Sequence, residues 1–490
     1  MLARTLRARS LQSSVAAATW RTSQIARHMT PTPSQVSEEA PVLFESNGSV
    51  RSYILNRPKK LNALDITMLG LLKPKIQEWN ESSLCGLVVG KGVGRAFCAG
   101  GDVADVIANA ADGKTRHKAV NYFKSEFEVD YMLASIYKPY VAVMDGITMG
   151  GGVGLSGMAP FRIATETTVF AMPETKIGYA PDVGANYFLN RLDGELGAYL
   201  ALTGEALKGR AVFMHGLATH YMPQRRIPAL LEALASLEKP TMEMINSTIE
   251  QSYYEPEASE PPIALTGSVR VALDSAFSEK SIEKIIESLE NYVQSSDEQV
   301  KAWATSTLEA LDLRSPTSLR VALFALRKNK NGGLIDALRT ELDIATALCN
   351  GASPDFATGV TAVLSKTPGR PDWQPSTLAE VSEESIIQDF FSPSSKYLDA
   401  KPEFNPPAGF DKPKHPMRFA LPSQESIRLY VTQDTPGSGG LAVTRDQALQ
   451  YFEQQTKGKG GVRDKVSEVL DRMCEEEIGD DGKDWLRWKH

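Results

Sequence analysis

The chain has 490 residues, 42% of them hydrophobic, and a net charge of −7. That length supports a large core with more than one structural unit, the acidic balance speaks against non-specific nucleic-acid binding, and no apolar run approaches the ~20 residues of a spanning helix. Cys85, Cys98, Cys349 and Cys474 are scattered, match no metal or redox spacing, and read as reduced structural thiols.

Residues 1–37 hold Arg4, Arg7, Arg9, Arg21 and Arg27 among many Ser, Thr and Ala, without an acid. That is the composition of a mitochondrial transit peptide and assigns the mature chain to the mitochondrial matrix. The folded chain is expected to begin near Pro41. Residues 50–55 alternate as a strand, and Asp65 is placed to cap a helix through about Trp79. Residues 84–89 read as a buried strand closed by Gly90–Gly94. Ala96-Phe97-Cys98-Ala99-Gly100-Gly101-Asp102 leads into a helix near Val103. Residues 118–137 show helical periodicity and carry Glu126 one turn before Asp130.

The run from 140 to 182 is the densest part of the sequence. A strand over 140–144 passes through Gly150, Gly151 and Gly152 into an apolar segment of helical length. Strands over 161–164 and 168–171 follow, then a loop carrying Glu174 and Asp182. Glycine lets a ligand approach the backbone, and unpaired N–H groups at a helix start can hold a developing oxyanion. A helix is expected from Asp182. Further helices are expected over 195–202, 207–215, 227–237, 268–289, 297–312, 316–328 and 336–350. This gives an α/β layer over 41–225 followed by a helical region over 226–395. Residues 396–490 are rich in Pro and Gly. A strap over 401–422 and a break at Gly437-Ser438-Gly439-Gly440 precede two short helices, one capped by Thr444 and one over 464–477.

Several motifs lead nowhere. Gly152-Val153-Gly154-Leu155-Ser156-Gly157 has dinucleotide spacing, but residues 145–151 intervene after the strand and no ribose-binding acid follows. Ser156 lacks the nucleophile-elbow pattern, because position 158 is Met. His215 and His220 are five apart, not the four of a zinc helix. What remains is two glycine turns, each before a helix, and two later carboxylates.

This pairing resembles the enoyl-CoA hydratase/isomerase (crotonase) superfamily. The likeness rests on Asn62-Ala63-Leu64, Phe97-Cys98-Ala99-Gly100-Gly101-Asp102, Gly146-Ile147-Thr148-Met149-Gly150-Gly151-Gly152 and Phe170-Ala171-Met172-Pro173-Glu174. It implies a ββα-superhelix core and a thioester carbonyl held by the N–H groups of Gly101 and Gly151. Hydratases carry a second glutamate three residues after the central glycine; here Gly154 stands there. Met172-Pro173-Glu174-Thr175-Lys176-Ile177-Gly178 and Pro181-Asp182-Val183-Gly184 are instead similar to the 3-hydroxyisobutyryl-CoA hydrolases. That likeness runs more weakly through Trp373 and Glu383-Glu384 to about Phe391.

The resemblance implies thioester hydrolysis in valine breakdown, with Glu174 as general base or transient nucleophile. Asp182 and Glu126 would bind the acyl hydroxyl and order water. An aromatic that is often Tyr in that family is Phe127 here. Lys59 and Lys60 are candidates for the phosphates of Coenzyme A, or a surface pair. No metal or cofactor is implied, because Coenzyme A is part of the substrate. Alternatives are a hydratase or isomerase, or a member recruited to the small subunit of the mitochondrial ribosome. Residues 396–490 lie beyond the usual end of the hydrolases and could form a docking arm. Their 15 Lys/Arg against 16 Asp/Glu favour contact with protein, or simple packing on their own domain, over contact with RNA. Oligomeric state is open, because the helical half could cover the surface that trimeric relatives use.

Overall fold

The computed structural model describes residues 40–256, 260–399, 401–434, 442–478 and 484–489. The expected transit peptide and the break at 437–440 lie outside them. The first half contains β1 (Val42–Asn47), β2 (Val50–Leu55), α1 (Ile66–Glu81), β3 (Leu87–Gly92), β4 (Ala96–Cys98), α2 (Val103–Ala111) and α3 (Arg116–Ser135). It continues with β5 (Tyr140–Met144), β6 (Ile147–Met149), α4 (Gly151–Gly157), β7 (Phe161–Ala164), β8 (Val169–Ala171), α5 (Ala185–Phe188), α6 (Leu196–Thr203), β9 (Leu207–Lys208), α7 (Arg210–Met214) and β10 (His220–Tyr221).

These strands build two sheets, ordered β1-β2-β3-β5-β7-β10 and β4-β6-β8-β9. Successive pairs β3/β4, β5/β6 and β7/β8 each give one strand to either sheet, which is the expected superhelix of ββα turns. Parallel pairing sets Val141 beside Phe161 and Val89. Strands buried on both faces read as continuous apolar runs, and all five residues of β5 are buried. Asp65 caps α1 as expected, its side chain accepting from the Met68 N–H.

The helical region follows as α8 (Ile227–Ala235), α9 (Met242–Glu250), α10 (Gly267–Phe277), α11 (Ile282–Tyr292), α12 (Glu298–Asp312), α13 (Pro316–Lys328), α14 (Leu334–Cys349), α15 (Asp355–Leu364) and α16 (Glu383–Ile386). Several expectations need correction. β3 starts at Leu87 and runs on through Gly90 and Gly92, because the Tyr53 side chain from β2 covers Gly90 and leaves no room for a larger residue. The helix expected over 268–289 is two, since Ser281 caps a new one by accepting from the Lys284 N–H. The segment 207–215 opens as a strand pairing Leu207 with Phe170. Asp182 starts no helix: Val183 and Gly184 both have positive φ, and α5 begins at Ala185. Helices α9 and α15 escaped the sequence reading.

Among its described residues the extension contains three helices and a hairpin, not two helices. These are α17 (Gln424–Val431), α18 (Arg445–Gln455), α19 (Val462–Met473), β11 (Cys474–Ile478) and β12 (Asp484–Trp488). Thr444 caps α18 as expected, but the last helix ends at Met473, because Cys474–Ile478 pairs antiparallel with β12. The extension packs as a layer on the rest of the chain. Fully buried Arg162 on β7 donates to the Pro416 carbonyl of the strap at 2.7 Å, and to the carbonyls of Ala159, Gly216 and Leu217. Phe419 stacks on Phe161 with centroids 4.6 Å apart. Lys465 of α19 pairs with Asp193 at 2.8 Å, and Lys459 pairs with Glu250. His220 also bonds Glu250 and His215 the Ala264 carbonyl, so both histidines are structural.

Candidate active site

The two glycine turns abut. A methyl group on Gly150 would stand 3.4 Å from the Gly100 Cα, and one on Gly100 3.9 Å from the Gly151 nitrogen. Leu64 bridges to the first turn by donating to the Gly100 carbonyl and accepting from the Asp102 N–H. Those bonds lie on either side of Gly101 and leave its own N–H out of the ladder. Gly151 is the first residue of α4, where an N–H has no intrahelical acceptor.

Carboxylates converge on the same turns. A methyl on Gly150 would meet Glu174 Oε1 at 3.0 Å, and one on Gly151 would overlap Glu126 Oε1. At Gly101 a methyl would lie 2.6 Å from the Tyr122 hydroxyl, which donates to the Leu64 carbonyl. Gly151 thus has no Cβ because the carboxylate of α3 lies there. Asp182 sits in the same field: burial raises its carboxyl, and Glu126, Glu174 and then Glu341 add to the rise. The five predicted residues Gly101, Glu126, Gly151, Glu174 and Asp182 are therefore brought together. Glu126, Glu174 and Asp182 are each at most 6% exposed. Burial also raises Glu126, and raises Glu174 with help from Glu126 and Glu341. No cation contributes to any of the three, so the acids hold protons well above the usual carboxylate range.

Two further acids complete the cluster. Asp130 is 2% exposed, and neither of its carboxyl oxygens has a hydrogen-bond partner. Glu341 of α14 accepts from the Gly184 N–H at 2.7 Å, the Asn186 N–H at 3.0 Å and the Asn186 side-chain amide at 2.9 Å. It clamps the turn behind Asp182 from the helical region. Sequence reasoning missed Glu341, although an acid within the apolar stripe of Leu338, Ile344 and Ala345 was a usable signal.

A cavity of about 340 Å³ lies between α1, α2 and α3, lined by Asp65, Asp102, Val106, Lys118 and Tyr122 among others. Tyr122 of its lining also packs on Gly101. Lys60 pairs with Asp102 of the cavity lining at 2.7 Å, as does Arg57 at 2.9 Å. Among the described residues no helix is long and apolar enough to cross a membrane.

The two sheets place the paired glycine turns side by side, and the enoyl-CoA hydratase/isomerase family model matches residues 50–391. The chain belongs to the enoyl-CoA hydratase/isomerase family. It is 31% identical, with a TM-score of 0.64, to the crystal structure of a carnitinyl-CoA dehydratase from Mycobacterium thermoresistibile, over 72% of this chain and 97% of that one. Within the family it is 40% identical to the mitochondrial 3-hydroxyisobutyryl-CoA hydrolase of Gallus gallus, over 72% of this chain and 89% of the relative. The Homo sapiens hydrolase is 39% identical over 73% and 90%. The small ribosomal subunit protein mS47 of Neurospora crassa is 38% identical over 93% of this chain and 89% of its own length.

Proposed function

We propose that the protein hydrolyses 3-hydroxyisobutyryl-CoA to 3-hydroxyisobutyrate and Coenzyme A in the mitochondrial matrix. The observation that carries this reading is the approach of Glu126 and Glu174 to the Gly150–Gly151 turn, beside the Gly100–Gly101 turn. In this reading the thioester oxygen lies between the N–H groups of Gly101 and Gly151, where two donors stabilise charge as it develops. Glu174 takes a proton from the attacking water, or attacks first and is freed by water. The C–S bond breaks and the thiolate takes up the proton. Asp182 and Glu126 accept from the acyl hydroxyl.

Hydration and isomerisation are less well supported, because position 154 carries no second glutamate. The test is release of free thiol from 3-hydroxyisobutyryl-CoA and isobutyryl-CoA. Buried acceptors left unpaired reject the deoxy analogue by on the order of 10²-fold or more. Equal turnover of the two thioesters, or an undiminished Glu174→Gln variant, would sink the assignment.

A second reading has its own support. The match to mS47 spans 93% of the chain and the hydrolase matches about 72%, so the extension falls within the former. In this reading the protein also associates with the small subunit of the mitochondrial ribosome, through the outer face of the packed extension. Sedimentation of the protein with free matrix protein alone, across a salt series, would exclude it.

A further inference from the structure

Helices α3 and α4 meet along a repeating contact. Glu126 packs on Gly151, and one turn further along α3 Asp130 packs on Gly154, where a methyl would lie 2.6 Å from Asp130 Oδ2. The same methyl would lie 2.7 Å from the Cβ of Val183, whose φ of +56° is rare for a β-branched residue. The volume beside position 154 is thus taken by Asp130 and Val183.

The charged and titratable groups facing Asp130 are Glu126 and Tyr122 on its own helix, Glu341 from α14, Tyr53 from β2, Cys98 from β4 and Tyr140 from β5. None is a cation. The Tyr53 and Tyr140 hydroxyls bond each other at 2.6 Å, and Tyr140 donates to the Leu155 carbonyl. Two acids one helical turn apart in a dry interior do not both ionise. Glu341 accepts three N–H bonds that favour its charge, whereas Asp130 accepts none. With no hydrogen bond and no cation to hold its charge, Asp130 keeps its proton.

We propose that Asp130 is a positioning residue of the hydrolytic site, a neutral carboxylic acid delivered from α3 into the volume a side chain at 154 would fill, where together with Val183 it fixes the placing of Glu126 and Asp182 about the acyl hydroxyl. This rests on the hydrolase reading above.

The test compares Asp130→Asn with Asp130→Leu in the full chain. Asparagine, a neutral donor of the same shape, holds kcat/KM for 3-hydroxyisobutyryl-CoA within about threefold of wild type. Leucine lowers it by roughly tenfold or more, with the loss in KM for hydroxylated substrates only. The alkaline limb of the pH–rate profile moves up in Asp130→Asn. Infrared difference spectra of wild type minus Asp130→Asn at pH 7 show a protonated carboxyl band. A missing band, an asparagine variant as impaired as leucine, or a leucine variant equal to wild type overturns the proposal. The infrared measurement needs no turnover. Failure of the wild type to cleave any 3-hydroxyacyl-CoA therefore counts against the hydrolase reading alone, while the band still decides the state of Asp130. Should the leucine variant not fold, the asparagine profile and the band decide it.

Discussion

Glu174→Gln is expected to stop turnover and to make the protein more stable, increasingly so as pH rises. The Glu174 carboxyl is fully buried, and its ordinary value of 4.5 rises to about 8 in the fold. Below pH 4.5 the group is protonated in both folded and unfolded chains, and its burial as a neutral acid costs nothing extra. Between those values the unfolded chain releases the proton and the folded chain keeps it, so folding weakens with rising pH. Each pH unit in that window corresponds to about 1.4 kcal/mol, so wild type loses about 2 kcal/mol by pH 6 and about 4 kcal/mol by pH 8 through this residue. Glutamine fills the same space without a charge to bury. The melting temperature of Glu174→Gln minus that of wild type, measured from pH 4 to pH 8, is near zero at the acid end and climbs steadily. A difference that stays flat, or reverses sign toward pH 8, would refute the reasoning, because it would mean that the site stabilises the Glu174 anion without substrate. Thiol release from 3-hydroxyisobutyryl-CoA falls by roughly 10²-fold or more in the same variant.

Gly154→Ala places a methyl 2.6 Å from Asp130 Oδ2; thermal unfolding should show a loss of about 1–3 kcal/mol, partly recovered by adding Asp130→Ala. Glu341→Leu strands three buried donors around Asp182, at about 1–3 kcal/mol for each one left unpaired; steady-state kinetics should show a drop in kcat, and a normal kcat would refute the clamp. Lys465→Met leaves Asp193 without its ion-pair partner beneath the extension, which costs about 3–5 kcal/mol; limited proteolysis should then cut the chain first within residues 424–473.

The first half of the fold was legible because its signals are local. Residues 140–144 form a short apolar run of the kind a buried strand uses, and Asp65 caps its own helix, as Thr444 does in the extension. Glu126, Gly101, Gly151, Glu174 and Asp182 were legible through motif resemblance, since nothing in their spacing alone places them around one point. Asp130 was visible as a neighbour of Glu126 but not as an occupant of the space at Gly154, which depends on the register of two helices. Glu341 is 157 residues from the Gly184 N–H it receives, a distance no periodicity spans. The end of the chain misled for a different reason. Cys474–Ile478 is acid-rich and reads as helix, but pairing with Asp484–Trp488 overrides that local preference.

The Arg162 guanidinium has main-chain carbonyls as its oxygen acceptors, and one of them arrives from Pro416, 254 residues later in the chain. Burial alone lowers this side chain to about 9. The arginine therefore lacks its last acceptor until the strap has folded over β7. The strap is thus part of the sheet's own hydrogen bonding: the guanidinium on the strand beside the sheet edge has its full set of acceptors only once residue 416 lies across it.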